Sequence, residues 1–283
     1  MSLGAALRKL GLFAIELLSR AGHIDLRPIV YRKMGIMQWQ NSVISGERYL
    51  ITEVLTKAVS RENYSVFFDI GSNEGNYAQE LLDSFPNAEI HCFEPNPAQA
   101  SRLKQRFHDH GNVKIVECAI SDENADELEL YDYAISDGSQ HASLYKGVLT
   151  DQHKAAAVKS HAVRARKIDD YCQETGVTHV NFLKIDVEGH EFAALCGAKE
   201  LLRKGSIDLI QFEFNQMNVY SRTFLKDYYD LLPDFGFYRL RKDGLIRMQN
   251  YSARNEIFRF QNILAVAPKF REMTDNLRIT NIW

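Results

Sequence analysis

One short loop has the residue types and spacing of a ligand-binding loop. It lies between an apolar run, V-F-F-D-I, and a segment with helical periodicity, and its polar and glycine residues are Asp69, Gly71, Ser72, Asn73 and Gly75. A strand that ends in Asp and turns through glycines into a helix is typical of nucleotide sites. Glycines allow a tight turn with positive φ, and the following helix N-terminus presents free N–H groups. The alternative is an ordinary glycine turn between a core strand and a helix.

Asn73 indicates which ligand this loop suits. A dinucleotide site of the G-x-G-x-x-G type brings its second glycine close to a pyrophosphate, but Asn73 stands at that position here. The loop therefore suits a smaller polar group, such as the amino-acid end of S-adenosylmethionine (SAM). We expect the cofactor's carboxylate to face the loop N–H groups. Its ammonium, or a water that bridges to it, would face Asp69.

Acidic residues follow four of the predicted strands. They are Asp69, Glu94, Asp186 and Glu213. Ligands bind outside the carboxyl ends of the strands in an open α/β sheet, so four acids on one rim indicate a binding site, although each alone also suits helix capping or solvent. Glu94 lies where an acid accepts hydrogen bonds from the two hydroxyls of a ribose, a group that NAD and SAM share.

Hydrophobic periodicity predicts the elements that position these residues. The predicted strands are 66–69, 89–93, 113–116, 180–185 and 207–212, and the predicted helices are 76–85, 97–108, 188–203 and 228–235. Residues 123–165 break this alternation and predict an antiparallel insertion. A closing strand pair follows at 237–240 and 263–267. Together these patterns predict an α/β fold, with a mostly parallel, doubly wound sheet that ends in an antiparallel strand.

The same pattern divides the chain into three regions. Residues 1–60 predict a helical N-terminal extension, with helices at 3–20 and 46–60. Residues 61–268 form the α/β domain, in which 121–165 is an insertion over the rim of the site, and 269–283 form a C-terminal tail. The first helix has a basic, leucine-rich face, which predicts packing on the domain or on a partner, with peripheral membrane contact as the alternative.

Composition narrows the class of protein. Hydrophobic residues make up 45% and charged residues 25% of the 283 residues, which is the balance of a globular protein with a full core. The net charge of −3 argues against a nucleic-acid partner. The four cysteines have neither C-x-x-C nor zinc spacing. We interpret them as reduced, which predicts a cytoplasmic protein, and no apolar run is long enough for a membrane span.

Three motifs in order resemble the FkbM family of SAM-dependent methyltransferases. They are D-I-G-S-N-E-G-N-Y from Asp69 to Tyr77, F-E-P-N-P from Phe93, and L-K-I-D-V-E-G-H-E from Leu183. The resemblance covers roughly residues 64–267 and implies a Rossmann-like class I methyltransferase fold. It also implies O-methylation of sugars or natural-product scaffolds.

The resemblance further implies roles for individual positions. The loop from Asp69 to Gly75 would hold the methionine part of SAM, and Tyr77 belongs to the same motif. Glu94 would hold the ribose. The segment around Ala119 would pass the adenine, with Asp122 as a weaker candidate for the same region.

Methyl transfer to a hydroxyl needs a group that removes its proton. The candidates are Asp186, Glu188, His190 and Glu213. Glu188 and His190 begin the predicted helix 188–203, so Glu188 also suits helix capping, and a structural role for His190 is equally open. Several carboxylates on one rim also suit a divalent cation, but no spacing in the sequence demands one, so no residue is assigned as a metal ligand.

The insertion is expected to supply the acceptor side of the site. We expect residues 137–146 to cover a small-molecule or glycan acceptor, with His141 and Ser143 in contact with it. Two other functions share parts of this pattern. An NAD-linked oxidoreductase has the same strand, loop and ribose acid, although Asn73 counts against it. A non-catalytic adenosine-binding or scaffold protein would not need Asp186 and Glu213.

Overall fold

The computed structural model describes residues 3–22, 25–59, 64–134, 139, 141–277 and 279–280. Residues 137, 138 and 140 of the expected acceptor loop lie outside the described residues, as do residues 281–283 of the expected tail. Among the described residues, no helix is both long and apolar enough to cross a membrane. The four cysteines are free, and three of them are buried.

The strands of the described residues form one large sheet and one small sheet. In chain order they are β1 (Val66–Ile70), β2 (Glu89–Phe93), β3 (Val113–Val116), β4 (Ala119–Ile120), β5 (Ala125–Tyr133), β6 (Val158–Arg166), β7 (Val180–Ile185), β8 (Ile207–Phe214), β9 (Gly236–Arg241), β10 (Gly244–Met248), β11 (Gln261–Val266) and β12 (Ile279–Thr280). The large sheet has the order β12-β10-β9-β11-β8-β7-β1-β2-β3. The small sheet has the order β4-β6-β5.

The centre of the large sheet is parallel, as predicted. Strands β3, β2, β1, β7 and β8 pair in parallel, and β11 then pairs antiparallel with β8. Strand β9 pairs antiparallel with β11, which confirms the predicted closing pair. The order reverses between β1 and β7, so the carboxyl ends of these two strands flank a crevice where ligands bind in such sheets.

Two strands at one end of the large sheet were not predicted. Strand β10 follows β9 through a tight turn and pairs antiparallel with it. Strand β12 lies in the region that we expected to be a tail, and it pairs in parallel with β10. The last described residues therefore extend the sheet.

The described residues form thirteen α-helical segments, several of which pack on the two faces of the large sheet. In chain order they are α1 (Leu3–Gly22), α2 (Arg27–Lys33), α3 (Ser42–Ser45), α4 (Glu47–Tyr49), α5 (Thr56–Ala58), α6 (Asn76–Ser84), α7 (Pro97–Arg106), α8 (Ile168–Thr175), α9 (Glu191–Cys196), α10 (Lys199–Arg203), α11 (Asn218–Ser221), α12 (Leu225–Leu231) and α13 (Arg271–Asp275). The side chain of Asn96 caps α7 by accepting from the N–H groups of Ala98 and Gln99, and Pro97 follows at the first helical position, as predicted.

The prediction of one helix over 188–203 is wrong. Helix α9 begins at Glu191, and a break after Cys196 separates it from α10. Glu188 lies in a turn before the helix, with φ of 53°, and His190 is the N-cap residue. Glu191 provides the stabilising contact at this end, because its Oε1 accepts hydrogen bonds from the N–H groups of Val187 and Gly189. Neither Glu188 nor His190 therefore lies inside a helix.

The second half of the N-terminal region belongs to the core of the α/β domain. Helix α4, a π-helical stretch from Leu50 to Leu55, and α5 continue one another along this part of the chain. Leu50, Ile51 and Val54 are at most 1% exposed and pack in one cluster with side chains of β1 and α6. Leu10 of α1, by contrast, is exposed.

The region predicted to be an antiparallel insertion contains the small sheet. Strands β5 and β6 pair antiparallel from Tyr133 opposite Val158 to Ala125 opposite Ala165, and β4 joins them at the other side of β6. Leu130, Val163 and Ala165 form a small apolar cluster with Ala119. This cluster places the insertion against the segment that follows β3, next to the crevice.

Candidate active site

The loop after β1 approaches the end of β7 very closely. The N–H groups of Gly71 and Ser72 both donate to the carbonyl of Phe93, at 2.9 and 3.1 Å. Gly71 has φ of 81°, and a Cβ at this position would lie 1.8 Å from the carbonyl oxygen of Asp186. Only glycine fits here, both because of the left-handed backbone and because of the neighbouring chain. The predicted loop is therefore fixed against the motif around Asp186.

A first cavity opens between the ends of the central strands and the insertion, with an empty volume of about 590 Å³ that includes space open to solvent. Its polar lining includes Gly71, Asn73 and Glu94. Its apolar side is formed by Ile70, Phe93, Cys118, Ala119, Ile120, Leu130, Ala142 and Leu144.

Glu94 is held by backbone groups at the edge of the first cavity. Its two oxygens accept from the N–H groups of Asn73 and Asn96, both at 2.9 Å. A carboxylate has about four lone-pair positions, so each oxygen keeps one for a ligand. Burial raises the pKa of Glu94 to about 7, against the two backbone hydrogen bonds, which lower it.

A second, larger cavity of about 1940 Å³, open to solvent, adjoins the first. The two cavities have four lining residues in common: Gly71, Asn73, Asp186 and Glu188. The second cavity extends from this junction past Tyr77 and Glu213 to Trp39 and Phe260 at its outer side. Two ligands, one in each cavity, would therefore meet at the carboxyl ends of β1 and β7.

Lys184 places a buried cation beside this junction. Its Nζ lies 3.3 Å from Oδ1 of Asp69 and 3.3 Å from Oδ2 of Asp186, and it stands 5.1 Å from the ring centroid of Tyr77. Burial lowers the pKa of Lys184, but the charges of Asp69, Asp186 and Glu47 outweigh it and raise the pKa above its usual value. Lys184 is therefore a fixed positive charge that positions Asp186.

Acidic groups dominate the wall opposite the loop. Glu213 reaches the second cavity from the end of β8, and its Oε2 accepts from the side-chain amide of Asn215 at 2.9 Å. Burial, followed by the charges of Asp186 and Glu188, raises the pKa of Glu213 well above its usual value. Glu47 of α4 faces the same cavity and accepts from the side chain of Gln211 at 3.1 Å.

The imidazole of His190 is engaged on both sides. Its Nε2 lies 3.0 Å from the hydroxyl of Ser121, and its Nδ1 lies 3.0 Å from the hydroxyl of Tyr145. Burial lowers the pKa of His190 to about 4. The ring lines the first cavity and is absent from the wall of the second. This arrangement suits a role in joining the insertion to the turn before α9.

A scan against family models matches residues 69–239 to the methyltransferase FkbM domain. The match covers more than half of the chain and includes every residue that lines the first cavity. The chain belongs to the FkbM methyltransferase family. The three motifs that indicated this family in the sequence therefore lie together around one crevice.

The names of two relatives of this FkbM methyltransferase state the position that is methylated or the molecule that is acted on. The chain is 31% identical to the 2-O-methyltransferase NoeI of Sinorhizobium fredii over 184 residues, which cover 60% of this chain and 72% of NoeI. It is 25% identical to the hexuronic acid methyltransferase AglP of Haloferax volcanii over 175 residues, which cover 61% of this chain and 65% of AglP. Among solved structures, a precorrin-6y C5,15-methyltransferase from Geobacter metallireducens aligns with a TM-score of 0.39 and 12% identity, over 78% of this chain and 87% of that one.

The expected cofactor residues of this FkbM protein fall into three groups. Gly71, Asn73, Glu94 and Ala119 line the first cavity. Ser72 and Tyr77 line the second, where Tyr77 donates to the side chain of Gln211 at 2.6 Å. Three residues line neither cavity: Asp69, Gly75 and Asp122.

The three residues outside the cavities have other contacts. Asp69 is fully buried behind the loop and pairs with Lys184, although neither of its oxygens has a hydrogen-bond partner within the described part of the chain. Gly75 is the N-cap residue of α6. Asp122 is exposed and accepts from the hydroxyl of Ser121 at 3.0 Å.

The expected catalytic and acceptor residues are divided in a similar way. Asp186 and Glu188 line both cavities, Glu213 lines the second, and His190 lines the first. His141 lines the second cavity, and its Nδ1 lies 3.3 Å from Oε1 of Glu188. Ser143 is 1% exposed and donates to the carbonyl of Glu188 at 2.8 Å, so its hydroxyl holds this turn.

Three residues that the second cavity brings together were not predicted from the sequence. Lys184 carried a signal, since a lysine inside an apolar strand needs a buried partner, and the sheet register sets it directly beside Asp69. Glu47 comes from the region 1–60, for which the sequence predicts an N-terminal extension. His153 follows a π-helical turn, Val148–Gln152, and its ring stacks on His141 at a centroid distance of 4.1 Å. Sequence spacing gave no indication of either contact.

Proposed function

We propose that this FkbM methyltransferase transfers the methyl group of SAM to a hydroxyl of a sugar or glycan. The observation that carries the proposal is the junction of the two cavities at Gly71, Asn73, Asp186 and Glu188. One cavity has a buried carboxylate and an apolar wall, which suit an adenosine group, and the other is wider and polar. The names of NoeI and AglP support a hydroxyl on a sugar as the acceptor.

The residues of the first cavity fit an adenosine cofactor. The remaining lone pairs of Glu94 suit the two hydroxyls of a ribose, and Ile120, Leu130 and Leu144 offer apolar contact to a planar base. The loop from Gly71 to Gly75 would hold the amino-acid end at the start of α6. When bound, SAM supplies an activated methyl group on a sulfonium.

The chain's own residues would prepare the acceptor. Asp186 stands at the junction, where its carboxylate can accept a hydrogen bond from the reacting hydroxyl and orient it. Lys184 fixes Asp186 from behind through an ion pair. Glu213, whose pKa burial raises above its usual value, is suited to take the proton, because a base works best with a pKa near the operating pH.

The outer part of the second cavity fits a sugar ring. Trp39 is 54% exposed there, and its ring lies 6.3 Å from that of Phe260 in an edge-to-face arrangement. An aromatic face packs against the C–H face of a pyranose, while carboxylates and amides deeper in the cavity accept or donate to its hydroxyls. Asn215 and Gln216 supply such amides.

Calorimetry with S-adenosylhomocysteine and NAD tests the cofactor. We expect saturable binding of S-adenosylhomocysteine with one site, weakened roughly tenfold or more in Glu94→Ala because two ribose hydrogen bonds are lost. NAD should not bind. Binding of NAD without S-adenosylhomocysteine would support an oxidoreductase instead, and binding of neither would support a scaffold protein.

Transfer of a labelled methyl group to a panel of sugars tests the chemistry. We expect incorporation on a hydroxyl, with turnover reduced about 100-fold or more in both Asp186→Asn and Glu213→Gln, the usual range for removal of a proton-transfer group. Binding of S-adenosylhomocysteine should remain within about threefold, because neither change alters the first cavity's ribose contacts. Asp126→Asn, an exposed position on β5, is the matched control. Unchanged turnover in both cavity variants would contradict the proposed roles.

A further inference from the structure

Two imidazoles and a carboxylate converge on one wall of the second cavity. They are His141, His153 and Glu188, and each offers a ligand atom that lies within 4.8 Å of the other two. The residues come from three separate segments: the loop after β5, the end of the π-helical turn after Gly147, and the turn after β7. The imidazole rings stack at 4.1 Å with 26° between their planes. None of this convergence follows from sequence spacing.

Two polar atoms in this group have no partner. Oε2 of Glu188 and Nε2 of His153 are both buried and without a hydrogen bond in the described part of the chain. Buried polar atoms are nearly always satisfied, so two unsatisfied atoms in one cluster require an explanation. A bound cation would satisfy both, since a neutral imidazole nitrogen and a carboxylate oxygen are each metal ligands.

The spacing is close to that of a coordinated set. Ligands about 2.1 Å from a tetrahedral ion lie about 3.4 Å from one another. Nδ1 of His141 is already 3.3 Å from Oε1 of Glu188. The other pairs need to close by at most about 1.4 Å, which rotation of partly buried side chains can supply.

The surrounding charge also favours a cation. Among the described residues that line the second cavity, acidic side chains outnumber basic ones: the acids are Glu47, Glu74, Glu80, Asp186, Glu188 and Glu213, and the bases are Lys184 and Arg259. Lys184 is already paired with Asp69 and Asp186. The negative potential that remains would concentrate divalent cations in the cavity.

The backbone holds Glu188 in an unusual conformation. Its φ is 53°, in the left-handed region that a glutamate rarely adopts. Ser143 donates to its carbonyl at 2.8 Å and fixes the turn. Such conformations persist where the surroundings enforce them, and they are concentrated at functional sites. Here the turn directs the side chain of Glu188, which is only 14% exposed, toward the two histidines.

We propose that His141, His153 and Glu188 bind one divalent transition-metal ion, whose open positions take adjacent hydroxyls of the acceptor. Two nitrogen ligands and one carboxylate suit Zn²⁺, Mn²⁺, Fe²⁺ or Co²⁺ better than Mg²⁺ or Ca²⁺, which take mainly oxygen ligands. Three protein ligands leave positions open for a substrate. The role of the ion in binding the acceptor rests on the proposed methyl transfer, whereas the metal site itself does not.

Titration with Co²⁺ tests the metal site without cofactor or acceptor. Metal-free full-length protein is titrated and followed by visible absorption, which reports the coordination of Co²⁺. We expect one equivalent to bind with a spectrum typical of nitrogen and oxygen ligands. His153→Ala and Glu188→Gln should each weaken binding about 10- to 100-fold or more, the usual effect of disturbing a metal site. His108→Ala, at an exposed histidine just after α7, should leave binding unchanged.

The outcomes separate the metal site from the proposed function. Each variant must keep the thermal unfolding midpoint of the parent protein, which excludes misfolding as the cause. Absence of saturable Co²⁺ binding, or equal binding in parent, His153→Ala and Glu188→Gln, would overturn the metal site while leaving the Asp186 experiment valid. If Co²⁺ binds and an active acceptor sugar changes its spectrum, the acceptor role is supported; an unchanged spectrum would overturn that role.

Discussion

Lys184 is a cation that folding removes from water and surrounds with acids. Its side chain is only 6% exposed, and that of Asp69 is fully buried. The desolvation of such a group is costly, so the ion pairs with Asp69 and Asp186 must offset it. These ion pairs therefore fix the position of Asp186 more than they add net stability. The effects of removing Lys184 on stability and on catalysis can both be measured.

Replacing Lys184 with methionine should destabilise the fold and disturb catalysis together. The change leaves Asp69 buried without its counter-charge, and loss of one partner of a buried pair costs about 3–5 kcal/mol in unfolding free energy. Urea unfolding measures this loss. Lys204→Met, at an exposed site, should change stability by less than about 0.5 kcal/mol. Equal stability of the two variants would show that Asp69 is satisfied in some other way.

Glu191 makes stability depend on pH. It is 1% exposed, and burial raises its pKa to about 8, against the backbone hydrogen bonds that lower it. Since the folded-state pKa lies above the unfolded value of about 4.3, the stabilising contribution is complete below that value and is lost as pH rises toward 8. The folded state thus favours the protonated carboxyl.

Glu191→Gln should remove this pH dependence. The amide keeps an oxygen that can accept from Val187 and Gly189 but has no proton to lose. Urea unfolding midpoints between pH 5 and pH 9 should therefore fall more steeply in the parent protein than in the variant. Parallel curves would mean that Glu191 ionises with an ordinary pKa in the folded state.

At the scale of elements, the loop after β1 depends on a close approach rather than on backbone freedom alone. Gly71 and Gly176 have φ of 81° and 75°, so alanine at either position meets similar backbone strain. A Cβ at Gly71 would also lie 1.8 Å from the carbonyl oxygen of Asp186, whereas a Cβ at Gly176 would meet no atom within 4 Å. The two glycines form a matched pair.

Gly71→Ala should therefore cost much more than Gly176→Ala. We expect about 1 kcal/mol for Gly176→Ala, and for Gly71→Ala at least about 2 kcal/mol more, because β1 and β7 must separate. Thermal unfolding gives the stabilities, and calorimetry should show loss of S-adenosylhomocysteine binding in Gly71→Ala alone. If both variants lost equal stability, strain alone would explain the glycine at position 71.

The sequence predicted the elements well where one local signal sufficed. Apolar runs that end in acids indicated β1, β2, β7 and β8, and alternation indicated the insertion. Hydrophobic periodicity predicted one helix from Glu188 to Arg203. It did not indicate the turn at Glu188 or the break after Cys196, because the turn and the break depend on backbone conformation. Lys184 and the contact between His141 and His153 were missed for a different reason: their partners are distant in the chain, so only the assembled sheet and insertion bring them together.

At the scale of the whole molecule, the first cavity is closed by two separate sheets. The ends of β1 and β2 supply one side, and the insertion supplies Leu130, Ala142 and Leu144 on the other. His190 links these parts through Ser121 and Tyr145. A ligand in this cavity contacts both sheets, so its binding energy should be divided between them.

Hydrogen exchange should show this division directly. Amides of β5 and β6 exchange when the insertion opens. A ligand that must leave before the insertion opens slows this exchange, and at a ligand concentration of 100 times Kd the slowing is up to about 100-fold. With S-adenosylhomocysteine we expect slower exchange in β5, β6 and the turn from Asp186 to His190. Strand β10 lies at the far side of the sheet and lines neither cavity, so its local exchange should not change. Protection confined to the large sheet would mean that the insertion is not a wall of the cofactor site, and equal slowing in β10 would mean that the whole domain opens as one unit.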